Sequence, residues 1–186
     1  MDPQELLRAA QLLFVEEKDA ESIEAYTKAI GAGADPYIAH LSRGVAYVKT
    51  KDVENAIGDF DKAVNANPRS FRAYFFRGMA HMMKGEFEKA IEDFTLALKL
   101  KTDYGMAMFS RAVSLARLGR YEEAAQDMQV VAPQMEQSLQ SFADTYGIVR
   151  TEMWKVMAQV SGEAETPTLS LSEKEIDTIK KWLEQE

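Results

Sequence analysis

The chain has 186 residues, 46% of them hydrophobic and 28% charged, with a formal net charge of -8. That composition suits one globular domain with an appendage and a sizeable core. Its acidity argues against binding nucleic acid or an anionic membrane surface, both of which need a basic stripe.

Cysteine is absent, which excludes disulfides, thiolate catalysis and sulfur-ligated metals and suits a reducing compartment. The chain begins MDPQELLRAAQLLFVEE, with Asp2 first and with Gln4, Glu5, Arg8 and Gln11 interrupting the apolar residues. This is neither the basic start nor the unbroken apolar run of a secretory leader, and no stretch approaches the roughly 18 apolar residues of a membrane span. A cytoplasmic protein without membrane insertion is expected.

Next comes the phrase ESIEAY at 21–26, followed by GAGAD at 31–35. The glycine-rich stretch has no preceding strand and no Gly-Lys-Ser/Thr ending, so it reads as a turn and not as a phosphate loop. The phrase returns as NAIGDF at 55–60, KAIEDF at 89–94 and EAAQDM at 123–128. Around the third copy, RAYFFRGMAHMMK reads as one helix, KGEF as a turn and EKAIEDFTLALKL as a second helix. Gly85 and Gly119 act as breakers, and Pro36 and Pro68 punctuate between units.

Beyond Pro133 the phrase stops. Met135, Leu139, Phe142, Tyr146, Val149, Met153, Val156 and Val160 then alternate steps of four and three, which fits one amphipathic helix, bent at Gly147. It reads as a cap over the last repeat or as one strand of a coiled-coil dimer. SGEAETPTLSLS follows as a polar linker containing Pro167. Ser172 with Glu175 then forms a capping-box pattern opening a last helix, with Ile176, Ile179, Trp182 and Leu183 on one side.

The copies are held in phase by columns spaced 34 residues apart. Ser22, Ala56, Ala90 and Ala124 form one; Tyr26, Phe60, Phe94 and Met128 another; Ala29, Ala63, Ala97 and Val131 a third; Ala10, Gly44, Gly78 and Ala112 a fourth. Small residues let two helices approach, and a large neighbour fills the gap beside them. On these residues the chain resembles the tetratricopeptide repeat family, whose unit is a 34-residue helix–turn–helix.

The resemblance implies an all-α, right-handed superhelical solenoid of four units, 3–36, 37–70, 71–104 and 105–138. A C-terminal capping helix at 139–161, a linker at 162–171 and a short terminal amphipathic helix at 172–185 would complete the chain. The third unit fits best. The first departs most, with Asp19 at an aromatic position and Ser22 at a small one.

Asp59, Asp93 and Asp127 form a further column, and Arg43, Arg77 and Arg111 lie sixteen residues before them. The first unit has Ala25 and Ala9 at these two places, so it lacks both partners at once. Each Arg is therefore expected to pair with the Asp on the second helix of its own unit as a structural ion pair. The alternative is an arginine ladder for an anionic partner.

No nucleophile–base pair, metal cluster or cofactor loop is present, so no enzyme, metal or cofactor is expected. His40 and His81 are the two histidines and read as core or near-core residues. The resemblance instead implies a concave groove lined by the first helices. Here that gives Leu7, Gln11, Leu41, Val45, Arg72, Phe75, Phe76, Met79, Met82, Met83, Met106, Phe109 and Val113, an apolar, methionine-rich set.

One branch of the family clamps acidic chaperone tails with Lys, Asn and Arg. The matching positions here are Leu7, Gln11, Ser42, Arg72 and Phe76, of which Arg72 alone carries a suitable charge, so that function is not expected. The expected role is a non-catalytic scaffold or adaptor for a protein or peptide partner, an amphipathic helix or extended apolar peptide in the groove. Either the chain covers the groove itself, with Ile176, Ile179, Trp182 and Leu183 as plug, or the groove and terminal helices join copies in a self-assembling module, a homodimer.

Overall fold

The computed structural model describes residues 2–142, with side-chain surroundings described as far as Val131. Its elements are α1 (Pro3–Val15), α2 (Asp19–Gly31), α3 (Pro36–Lys49), α4 (Val53–Ala66), α5 (Phe71–Met83), α6 (Phe87–Leu100), α7 (Gly105–Arg117) and α8 (Tyr121–Phe142). No strand occurs among the described residues.

Local chemistry sets where several of these helices begin. Pro3 and Pro36 open α1 and α3, where a missing N–H has no intrahelical use. Asp35 accepts from the Ile38 N–H at 2.9 Å, Asp52 from the Asn55 N–H at 3.3 Å and Ser70 from the Ala73 N–H at 3.2 Å. Each of these side chains satisfies one of the orphan donors of a first turn.

The turn inside each unit has one conformation throughout. Glu17, Lys51, Gly85 and Gly119, spaced by the repeat, all have positive φ, between 61° and 80°. In each case the next residue donates its N–H back to the carbonyl five residues earlier: Lys18 to Leu13, Asp52 to Tyr47, Glu86 to His81 and Arg120 to Leu115. This left-handed helix stop reverses the chain, so consecutive helices pack side by side.

The helices pair as α1·α2, α3·α4, α5·α6 and α7·α8, and each pair stacks on the next through α2·α3, α4·α5 and α6·α7. The interior is filled by the repeating columns. Tyr26, Phe60, Phe94 and Met128 are among the largest fully buried side chains, and Ala56, Ala90 and Ala124 have no exposed surface beside them. The close approach is literal: a Cβ built on Gly44 would lie 2.5 Å from Phe60 Cε1, and one on Gly78 2.8 Å from Phe94 Cε1. The architecture is an all-α solenoid of helix–turn–helix repeats.

Two features differ from the sequence expectation or fall beyond it. α8 runs as one helix past Pro133, where a new helix was expected to begin; the proline removes one backbone donor without ending the element. The expected capping helix at 139–161 shares only its first residues with α8, and the rest of it, the linker and the terminal helix lie outside the described residues.

Candidate functional site

Successive first helices touch one another, α1 with α3, α3 with α5 and α5 with α7, whereas no two second helices touch among the described residues. A stack that is tighter on one side curves toward it. The first helices therefore form the inner face of the solenoid, and its outward-pointing side chains are the candidate site.

Behind this face stands the ion-pair ladder. Arg43 donates from Nε to Asp59 Oδ2 at 2.7 Å and from Nη2 to Oδ1 at 2.8 Å. Arg77 binds Asp93 the same way at 2.9 and 2.6 Å, and Arg111 binds Asp127 at 2.7 and 2.6 Å. All three carboxylates are buried. The fork raises the Arg77 pKa above its usual value, with the hydrogen bond to Asp93 the largest cause and burial opposing it. Guanidiniums engaged in this way present no free ladder to an anionic partner.

A third contact was not anticipated. Nη1 of each arginine reaches back to the second helix of the preceding unit: Arg43 to Thr27 Oγ1 at 2.8 Å, Arg77 to Asp61 Oδ1 at 2.8 Å and Arg111 to Thr95 Oγ1 at 3.1 Å. Thr27, Asp61 and Thr95 are themselves one repeat apart, but the change from Thr to Asp to Thr hides the column in the sequence. Each arginine thus ties three helices. Tyr37 on α3 and Ser70, which caps the start of α5, add a further link between helices, their hydroxyl oxygens 2.7 Å apart.

The histidines are likewise part of the scaffold. His40 is buried and donates from Nδ1 to Asp59 Oδ1 at 2.9 Å; His81 donates from Nδ1 to Glu86 Oε2 at 2.8 Å. No group of three or more acids or histidines that could hold a metal occurs among the described residues.

On the inner face itself, Gln11, Arg72, Met83 and Met106 are exposed, Met83 at 46% and Met106 at 61%. Leu41, Val45, Phe76, Met79, Met82, Phe109 and Val113 are half-buried, each with a partly free surface. Ser110 approaches the Met79 sulfur at 3.5 Å, joining α7 to α5. The Arg72 guanidinium lies 5.7 Å from the Phe71 ring centroid.

Two expected groove residues are not on this surface. Phe75 is 3% exposed, enclosed by Phe76, Phe94 and Tyr104 with ring centroids 5.5, 5.9 and 5.0 Å away. Leu7 is buried in the cluster that holds Ala10 and Tyr26. The reason is local: α5 is apolar nearly all round, so one of its two adjacent phenylalanines must turn into the hairpin, and Leu7 likewise packs toward α2.

A stack of helical hairpins with a continuous inner face defines a repeat scaffold of the kind that binds proteins and peptides. The chain belongs to the tetratricopeptide repeat family. That family's profiles match residues 71–104 and residues 7–70 and 97–137. No curated protein sequence matches it.

Among solved structures it is similar to MamA MSR-1, with 25% identity, a TM-score of 0.66 and coverage of 74% of this chain and 79% of that one. MamA 41-end from Desulfovibrio magneticus RS-1 shares the fold at 22% identity and TM-score 0.68, covering 74% of this chain and 77% of that one. The first TPR of Spaghetti (RPAP3), bound to the HSP90 peptide SRMEEVD, is similar at 28% identity and TM-score 0.60 over 63% of this chain and 94% of that one. Among the described residues no helix is long and apolar enough to cross a membrane.

Proposed function

We propose that the protein is a non-catalytic scaffold that holds an amphipathic helix, or an extended apolar peptide, on the inner face of α1, α3, α5 and α7. The observation that carries this reading is the lining of the side on which the first helices touch: Phe76, Met79, Met82, Met83, Met106 and Phe109 all keep free apolar surface there. Methionine side chains adapt to varied partners, and a helix presenting apolar anchors at i, i+3, i+4 and i+7 matches such a strip. The acidic peptide on RPAP3 is a weaker guide, because Arg72 is the one cation at the positions that would clamp an acidic tail.

The test is fluorescence anisotropy on the full chain with a panel of labelled amphipathic helical peptides and scrambled controls. Binding by ordered but not scrambled members is expected, weakened about tenfold or more by Met83→Glu with Met106→Glu, since a few buried anchors dominate such interfaces. Equal binding of scrambled peptides, or indifference to the substitutions, would sink the reading. A mass in light scattering that rises with concentration and falls back on the same substitutions would favour the self-assembling module instead.

A further inference from the structure

We infer that, without a partner, the inner face is occupied by the chain's own segment 172–185. This rests on the reading of that face as a binding surface and names its resident occupant. Met83 and Met106 stand exposed beside the half-buried Phe76, Met79, Met82 and Phe109. An open apolar strip of this kind is an association hazard and calls for cover.

The sequence supplies matching cover. Segment 172–185 carries Ile176, Ile179, Trp182 and Leu183 at helical spacing behind the Ser172–Glu175 capping pattern. A helix so short is marginal alone in water and gains its stability by docking. Trp182 is the kind of side chain that anchors an interface.

Charge and reach agree with this assignment. Residues 172–186 hold five acids, Glu173, Glu175, Asp177, Glu184 and Glu186, against Lys174, Lys180 and Lys181. Arg72, exposed on the face, makes no ion pair among the described residues. The described chain ends at Phe142 on α8, which packs against α7, the helix that carries Met106 and Phe109. With 139–161 read as a helix, the linker 162–171 alone could span about 33–36 Å when extended, more than the 8–10 Å between packed helices. Occupancy by the same chain would make partner binding a displacement, and the scaffold would engage only a partner that outcompetes its tail.

The experiment uses the full chain with Trp154→Phe, leaving Trp182 as its single tryptophan. Its emission and acrylamide quenching are compared with those of the free peptide 172–186, across a dilution series with mass measured in parallel. The expected result is a blue-shifted Trp182, several-fold less quenched than in the peptide, on a monomer at every dilution. Met83→Glu with Met106→Glu should return both readings to the peptide's values while far-UV dichroism stays unchanged.

A Trp182 as accessible as in the free peptide overturns the inference. So does protection that ignores the two substitutions, or protection lost on dilution together with a dimer mass, which would make a second copy the occupant. If panel peptides still bind and lose affinity on the face substitutions while Trp182 is fully accessible, the binding reading stands and only the self-occupancy falls.

Discussion

Arg77 uses all three of its guanidinium nitrogens on two neighbours, Asp93 in its own hairpin and Asp61 in the one before. Its side chain is 20% exposed and that of Asp93 is 5%. Removing Arg77 alone leaves a buried carboxylate without its counter-ion, a loss of about 3 kcal/mol or more. A double-mutant cycle with Arg77→Ala and Asp93→Ala should therefore show coupling of about 1–3 kcal/mol in urea unfolding, and coupling near zero would contradict the geometry.

Gly78 offers a second test at this scale. Gly78→Ala gains helix propensity but drives a Cβ to within 2.8 Å of the Phe94 ring and 3.2 Å of Asp93 Cβ, for a net loss of about 1–3 kcal/mol. Gly58, also inside a helix, has nothing within 4 Å, and Gly58→Ala should stabilise by about 0.5–1 kcal/mol. The Arg–Asp spacing was readable because the first unit drops both partners together. The column 27, 61, 95 was not, because it changes identity from Thr to Asp to Thr while keeping one role, that of an acceptor.

At the scale of the element, the turn inside each unit shows where residue identity and conformation part. Gly85 and Gly119 announce a helix stop; Glu17 and Lys51 do not, yet they hold the same left-handed conformation, and the repeat imposes it on them. An L-residue there is strained by about 1–2 kcal/mol, partly offset by the greater chain freedom glycine would lose. Lys51→Gly should therefore raise stability by about 0.5–1 kcal/mol in chemical denaturation; a loss would show that its side chain contributes what its backbone does not.

The α5–α6 turn also titrates. Lys89, then His81, hold the Glu86 carboxyl down to about 2. Because the folded value lies below the ordinary one near 4.5, this cluster stabilises the fold above about pH 4.5, and the contribution is lost as pH falls toward 2. Unfolding measured from pH 6 to pH 2 should show the gap between the wild type and Glu86→Gln closing over that window; a constant gap would contradict it. The passage of α8 through Pro133 was hidden for a different reason, since a proline marks a lost donor and leaves open whether the helix kinks or stops.

For the molecule as a whole, the repeat period was the most legible quantity in the sequence, because a solenoid repeats its packing and therefore its small and large residues. Curvature was not legible in the residue pattern itself and entered only through the family resemblance, which implied a concave face lined by the first helices. It lies in which helices touch across units, and that depends on the sum of side-chain volumes at each junction. Burial within the first helices was legible only in part. Met83 and Met106 are exposed, but periodicity alone could not tell that Phe75 turns inward and Phe76 remains half-open, since both sit on a helix apolar on nearly every side.

The central claim is that the first-helix face is where a partner is held. Its most direct test is a methyl spectrum of the full chain labelled at methionine, titrated with the tightest amphipathic peptide of the panel. The account predicts that Met79, Met82, Met83 and Met106 shift while Met128, buried between helices, does not. Binding that leaves those four resonances in place, or moves Met128 instead, would contradict it.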